Sequence, residues 1–241
     1  YLLSQSESPI FLFPRMSRQA ARADNRALSE TVSYGLRYIM VLLIPAALVY
    51  ILLGEQIIAV ALQRRAFTAL GTLRTSRVLA GYSLGLFSLG GFTFLQRFFY
   101  SNHDFKKPLI AALVVSGSDI LLSLWLRQTA LRVTGLAVAN SIAFTCGFIL
   151  LLIWTRRALG RLSGGAIVRT VVRMGASLPP FIGFILLYNR LTRSVWVPGS
   201  SLGNLFLLLA EALTAAAILL GMYRLLGVEV VKELMTRRKR K

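Results

Sequence analysis

Two carboxylates of this sequence sit where a charge is expensive. Asp119 lies ten residues beyond Leu109 within one apolar stretch, and Glu211 lies nine beyond Leu202 within another. At the rise of an α-helix these positions are about 15 and 14 Å from the start of their stretches. An acid held at that depth can carry a proton or a sodium ion, neutralise a cation, or accept hydrogen bonds from a polar group on a neighbouring helix. For Asp119, set beside Ser116, Gly117 and Ser118, an ion-coupling role and a structural partnership are both open. For Glu211 a packing or partner contact is the expected use. Arg97 and Gln96 come near the end of a third stretch, next to Phe98, Phe99 and Tyr100, whose rings suit an interfacial aromatic belt. A guanidinium there either snorkels to lipid headgroups or faces the phosphates of a substrate. Asn140, between Ala137 and Ser141, can hydrogen-bond across closely packed helices. Arg97, Gln96 and Asn140 are therefore the substrate-binding candidates, and Asp119 is the ion-coupling candidate.

No catalytic arrangement accompanies them. His103 is the only histidine and Cys146 the only cysteine, so a metal site lacks ligands and an intramolecular disulfide is impossible. GRLSGGA at Gly160–Ala166 bears glycines but lacks the Gly-Lys-Ser/Thr ending that cradles nucleotide phosphates. A membrane enzyme acting on lipid carriers needs clustered acids, histidines or arginines at the surface, and the acids here are scattered. The expectation is a protein that is not an enzyme and takes no cofactor.

The elements that must position these residues are six apolar stretches: Leu36–Leu53, Val78–Tyr100, Leu109–Leu126, Val133–Trp154, Val171–Tyr188 and Leu202–Tyr223. Each is close to the roughly 20 residues that a helix needs to cross a bilayer core. Backbone polar groups in lipid must be satisfied within the segment, and nothing here alternates like a barrel strand, so the fold class is an all-α polytopic transmembrane bundle.

The net charge of +19 would suggest nucleic acid if it were spread over a soluble surface. Instead the basic residues flank the stretches, and counting them on alternating sides places 20 on one side and 8 on the other. The positive-inside rule makes the richer side cytoplasmic, with both ends of the chain inside the cell and no nucleic-acid partner. The closing run Arg237–Lys241 then lies against anionic lipid headgroups.

Pro45 sits near the middle of the first stretch and lacks an N–H donor, which predicts a kink there. Gly81 and Gly85 form GxxxG in the second, suited to close packing or to flexing as a gate. These three are the hinge candidates. Gly54–Thr68 is too polar to span but places Ile57, Ile58, Ala61 and Leu62 on one helical face, which reads as an interfacial helix on the outer surface. The chain opens at Tyr1 with no signal peptide, and Phe11-Leu12-Phe13-Pro14 reads as the tail of an apolar element, pointing to the C-terminal part of a longer protein. Residues 1–35 are thus the end of a preceding span plus a solvated basic connector, 36–154 hold four spans, 155–170 a second connector, 171–223 a final pair, and 224–241 a basic tail.

LQRRAFT at Leu62–Thr68, GYSLGL at Gly81–Leu86, FYSNHDFKKPL at Phe99–Leu109 and GLAVANSIA at Gly135–Ala143 follow one another in an order and spacing that resembles the MurJ (MviN) family of lipid II flippases. FPRMSRQAA looks like that family's cytoplasmic connection after an earlier span. The resemblance is carried by motifs over about residues 11–155 and by hydropathy beyond. It implies the multidrug/oligosaccharidyl-lipid/polysaccharide exporter fold, fourteen helices in two lobes plus a final pair, of which this chain would supply the last four helices of the second lobe and the pair. It also implies alternating-access export of an undecaprenyl-linked peptidoglycan precursor across a bacterial inner membrane, with lipid-linked glycan as substrate and membrane lipids and a missing N-terminal lobe as partners. Export of another polyprenyl-linked glycan or a small molecule, or a truncated non-transporting subunit, are the alternatives. Two positions depart from the pattern: Arg65 stands where glycine is common, and Lys107 where threonine precedes the proline.

Overall fold

The computed structural model describes residues 12–22, 24–64, 67–160, 164–192, 195–196 and 201–228. Regular structure among them is helical: α1 (Leu12–Ala21), α2 (Asn25–Leu52), α3 (Gly54–Leu62), α4 (Ala69–Ser83), α5 (Leu86–Ser101), α6 (Lys106–Leu126), α7 (Val133–Leu159), α8 (Gly164–Thr192) and α9 (Ser201–Leu225). Helices α2, α6, α7, α8 and α9 are long and apolar enough to cross a membrane, and α4 with α5 makes a sixth span only as a bent pair. The apolar surfaces confirm what surrounds them. In the most apolar part of α9 only 11% of residues are buried, and in α6 only 17%. Leu113, Leu121 and Trp125 on α6 and Phe206 and Leu213 on α9 are all exposed, a coat that water would penalise and lipid covers.

The chain divides into two compact units, the first formed by Tyr1–Ile44 and Leu84–Val168, the second by Pro45–Ser83 and Arg169–Lys241. In the first, Leu28, Val32 and Leu36 recur at the i, i+4 spacing of one α2 face and bury against Met16 of α1 and Phe92, Leu95, Phe98 and Phe99 of α5. Ala139, Ala143, Gly147, Leu151 and Thr155 form a buried i, i+4 stripe along α7. Small side chains there let neighbouring helices come close, the usual means of packing helices where lipid supplies no hydrophobic drive. Phe87 meets Phe148 edge-on at 5.4 Å and Phe92 meets Phe144 at 5.6 Å, geometries that favour aromatic pairs.

In the second unit Leu53, Phe181, Ile185 and Ala215 form the buried centre. Around it Arg173 Nη1 donates to the carbonyl of Gly227 at 2.6 Å, and the Tyr188 hydroxyl donates to that of Leu207 at 3.2 Å, tying α8 to α9 and its end.

Several expectations change. The connector read as solvated within residues 1–35 is folded: α2 begins at Asn25, where Asp24 Oδ1 accepts the Ala27 N–H at 3.0 Å as an N-cap, and Met16, Leu28 and Val32 are at most 1% exposed. Charge pattern marked the segment as cytoplasmic but could not show that its apolar residues share a face. The span expected as continuous from Val78 to Tyr100 is broken at Leu84 and Gly85. Gly85 is the N-cap of α5, and glycine's weak helix propensity makes it a natural place for a break. α2 runs without interruption through Pro45, which also opens the second unit. The expected interfacial segment becomes the shorter α3, ending at Leu62. Residues 1–11, Arg65, Arg161–Ser163 of the GRLSGGA motif, Arg193 and the basic tail from 229 onward lie outside the described residues.

Candidate functional site

A polar junction of the first unit lies between α6 and α7. Asp119 and Ser123 are one turn apart on α6, and Ser123 Oγ donates to Asp119 Oδ1 at 3.5 Å. From α7, Asn140 Nδ2 donates to the other carboxylate oxygen, Oδ2, at 3.5 Å. Both distances are at the long limit for a hydrogen bond, so the carboxylate is oriented but weakly held. No lysine or arginine pairs with it among the described residues. The sequence singled out Asp119 and Asn140 separately, and the structure brings them together.

Next to Asn140, Ser141 is buried and faces Gly85. A Cβ on Gly85 would stand 2.6 Å from the Ser141 Cα, so the start of α5 touches α7 backbone to backbone. One turn further along α7, Thr145 Oγ1 donates to Ser88 Oγ at 2.9 Å, a second polar contact that the sequence reading missed. Its only signal was hydroxyl residues on two apolar stretches, which is common in membrane helices.

Arg97 and Gln96 are not drawn into this cluster. Arg97 is exposed near the end of α5, Gln96 is partly buried, and neither makes a hydrogen bond or ion pair among the described residues. Phe98 and Phe99 are each 2% exposed and belong to the core rather than to an aromatic belt; of the three rings only Tyr100 faces outward. The reason is helical phase: Leu95, Phe98 and Phe99 fall on the face that also carries Phe92. Gly81 is buried within α4.

The turn after α5 is ordered by charge. His103 adopts φ 56°, and the chain then reaches Asp104, whose Oδ1 accepts the Lys107 N–H at 3.3 Å while Oδ2 pairs with Lys107 Nζ at 2.8 Å. Lys107 Nζ also lies 5.2 Å from the Phe99 ring centroid. The lysine that departs from the family pattern is therefore built into the start of α6. Its hydrogen bond to the Asp104 side chain, foremost, holds that carboxyl below its ordinary value.

Glu211 is 3% exposed on α9, and its Oε1 has no hydrogen-bond partner among the described residues. Among the described residues no group of His, Cys, Asp and Glu could hold a metal ion.

Helices coated in apolar side chains, five or, with the bent pair, six of them long and apolar enough to cross a membrane, define a multi-pass membrane protein. Residues 9–207 match the family described as Lipid II flippase MurJ, and the chain belongs to that family. A probable lipid II flippase MurJ of Borreliella burgdorferi is 24% identical over 218 residues, covering 90% of this chain and 42% of the relative. The lipid II flippase MurJ of Thermosipho africanus is 32% identical over 129 residues, 54% of this chain and 27% of its own. A solved structure of lipid II flippase MurJ in an inward closed conformation superposes with a TM-score of 0.59 at 20% identity, over 90% of this chain and 43% of that one, which shows a shared fold. The chain thus spans about half the length, or less, of the curated relatives it matches.

Proposed function

We propose that this chain forms the C-terminal portion of a flippase that moves an undecaprenyl-linked peptidoglycan precursor, lipid II, from the inner to the outer leaflet of a bacterial inner membrane. The family match over residues 9–207 is the observation that carries the reading. In such a protein two lobes rock about a central site in alternating access. The lobe that fills the remaining length of the relatives is the partner this portion requires, on the same polypeptide or another. The C-terminus is cytoplasmic, as the charge asymmetry favours.

Within this portion Asp119 is the coupling carboxylate, with Asn140 and Ser123 holding it in place for a proton or sodium ion. That no lysine or arginine pairs with it among the described residues supports this, because a carboxylate already neutralised by a fixed cation gains nothing from a mobile one. Arg97, with Gln96, meets the substrate phosphates, and its guanidinium, exposed and without an ion pair among the described residues, suits that use. Pro45, Gly81 and Gly85 absorb the motion.

The test is to deplete the gene and follow lipid-linked precursor with an outer-face probe or a cleaving toxin. Precursor that accumulates but is inaccessible from outside supports flipping by this protein. Unchanged access in a strain lacking other flippases overturns it.

A further inference from the structure

Glu55 and Arg190 both line a cavity of about 460 Å³ in the second unit, between α3, α4 and the end of α8. Its other polar lining includes Gln56, Gln63 and Asn189. Gln56 and Asn189, both partly buried, are joined across it, Gln56 Nε2 donating to Asn189 Oδ1 at 2.8 Å. Glu55 and Arg190 are exposed, and neither forms an ion pair among the described residues. Glu55 lies in the first turn of α3 and Arg190 in the last turn of α8, the helix ends whose dipoles attract each sign of charge.

We propose that this cavity is a binding site for the zwitterionic headgroup of an aminophospholipid, with the ammonium at Glu55 and the phosphate at Arg190. Among the described residues the lining holds one acid, one base and neutral amides, which matches a headgroup carrying one charge of each sign. An anionic headgroup such as that of phosphatidylglycerol brings no ammonium to the Glu55 carboxylate. Gln56 Oε1 is enclosed with no hydrogen-bond partner among the described residues, an acceptor that an ammonium N–H would satisfy after a small turn of the amide. A volume of this size suits a headgroup, being at the small end of ligand pockets. The surroundings favour a lipid over a soluble compound. Leu62, Leu70, Leu191 and Val195 are each the chain neighbour of a cavity residue, and all are exposed, offering apolar surface to acyl chains. Trp196, on the lining, has the amphipathic ring found at membrane interfaces.

The full chain, purified in detergent, is mixed with equal amounts of phosphatidylethanolamine and phosphatidylglycerol of identical acyl chains and examined by native mass spectrometry. Phosphatidylethanolamine is expected to be retained over phosphatidylglycerol by about tenfold, the scale of one charge-assisted contact. Glu55→Gln is expected to abolish the preference, and Arg190→Gln to lower retention of both lipids at least about threefold. Arg190→Lys keeps the positive charge and is expected to retain the lipid; if it loses as much as Arg190→Gln, the proposal fails. Equal retention of the two lipids overturns it, as do glutamine variants that behave like the parent chain. Glycerophosphoethanolamine displacing the lipid at equal concentration shows a soluble ligand and overturns the lipid assignment. So does a chitin oligosaccharide that displaces it, which would mark the site as one for glycans.

Discussion

Asn140 on α7 donates to Asp119 on α6 through a hydrogen bond 3.5 Å long, placing an acid and an amide in contact between two spans of the first unit. The length matters because a carboxylate gripped this loosely can exchange its partner for an ion or a water without a large energetic loss. A tightly paired acid could not.

Asp119→Asn in a full-length flippase context is expected to lower precursor export at least about tenfold while leaving protein level unchanged, since it removes charge but keeps shape. Asn140→Ala, which leaves the charge but loses its partner, is expected to fall between the two. Outer-face labelling of the precursor measures both, and normal export by Asp119→Asn sinks the coupling role.

Gly85→Ala is expected to destabilise by about 1–3 kcal/mol, the usual cost of overpacking. The new methyl would press on the backbone of α7 at Ser141, so trimming Ser141 to glycine is not expected to rescue it. Thermal unfolding in detergent reports the effect, and an unchanged midpoint would show that the two helices stand further apart.

Sequence carried much of this arrangement and missed some of it for identifiable reasons. The spans were legible because hydrocarbon thickness sets a length that composition alone reveals. Asp119 and Asn140 were legible as unusual residues but not as a pair, because their contact depends on the rotation of α6 against α7, which hydropathy does not encode. The break at Gly85 was hidden by an apolar run continuing on both sides of it. Gln56 and Asn189 stand 133 positions apart, and no local signal joins them.

Asp104 provides a test of pH. Its carboxyl titrates below the ordinary 3.8 in the folded protein, chiefly through the Lys107 hydrogen bond, so its contribution to stability is present above that ordinary value. As pH falls through the lower folded value, the contribution is lost. Wild type is therefore expected to exceed Asp104→Asn by under about 1 kcal/mol at neutral pH, given that the pair is partly exposed, and to converge with it in acid. A difference that persists below the folded value would assign the effect to shape rather than charge.

Arg173→Met should remove the tether from α8 to the Gly227 carbonyl and cost about 1–2 kcal/mol, read as a lower unfolding midpoint. Glu211→Gln has the opposite expectation. Its buried Oε1 lacks a partner among the described residues, so losing the potential charge should leave stability unchanged or raise it by about 1 kcal/mol. A marked loss of stability would reveal a partner for this acid.

The two compact units interleave along the polypeptide, each assembled from an early segment and a late one. During synthesis the first forty-four residues must wait for the chain from Leu84 onward, and Pro45–Ser83 must wait longer still, until the segment from Arg169 emerges. No single cut separates the units, so a ribosome halted near Val168 would leave both of these segments of one unit in the bilayer and the early segment of the other orphaned, a ready substrate for membrane quality control.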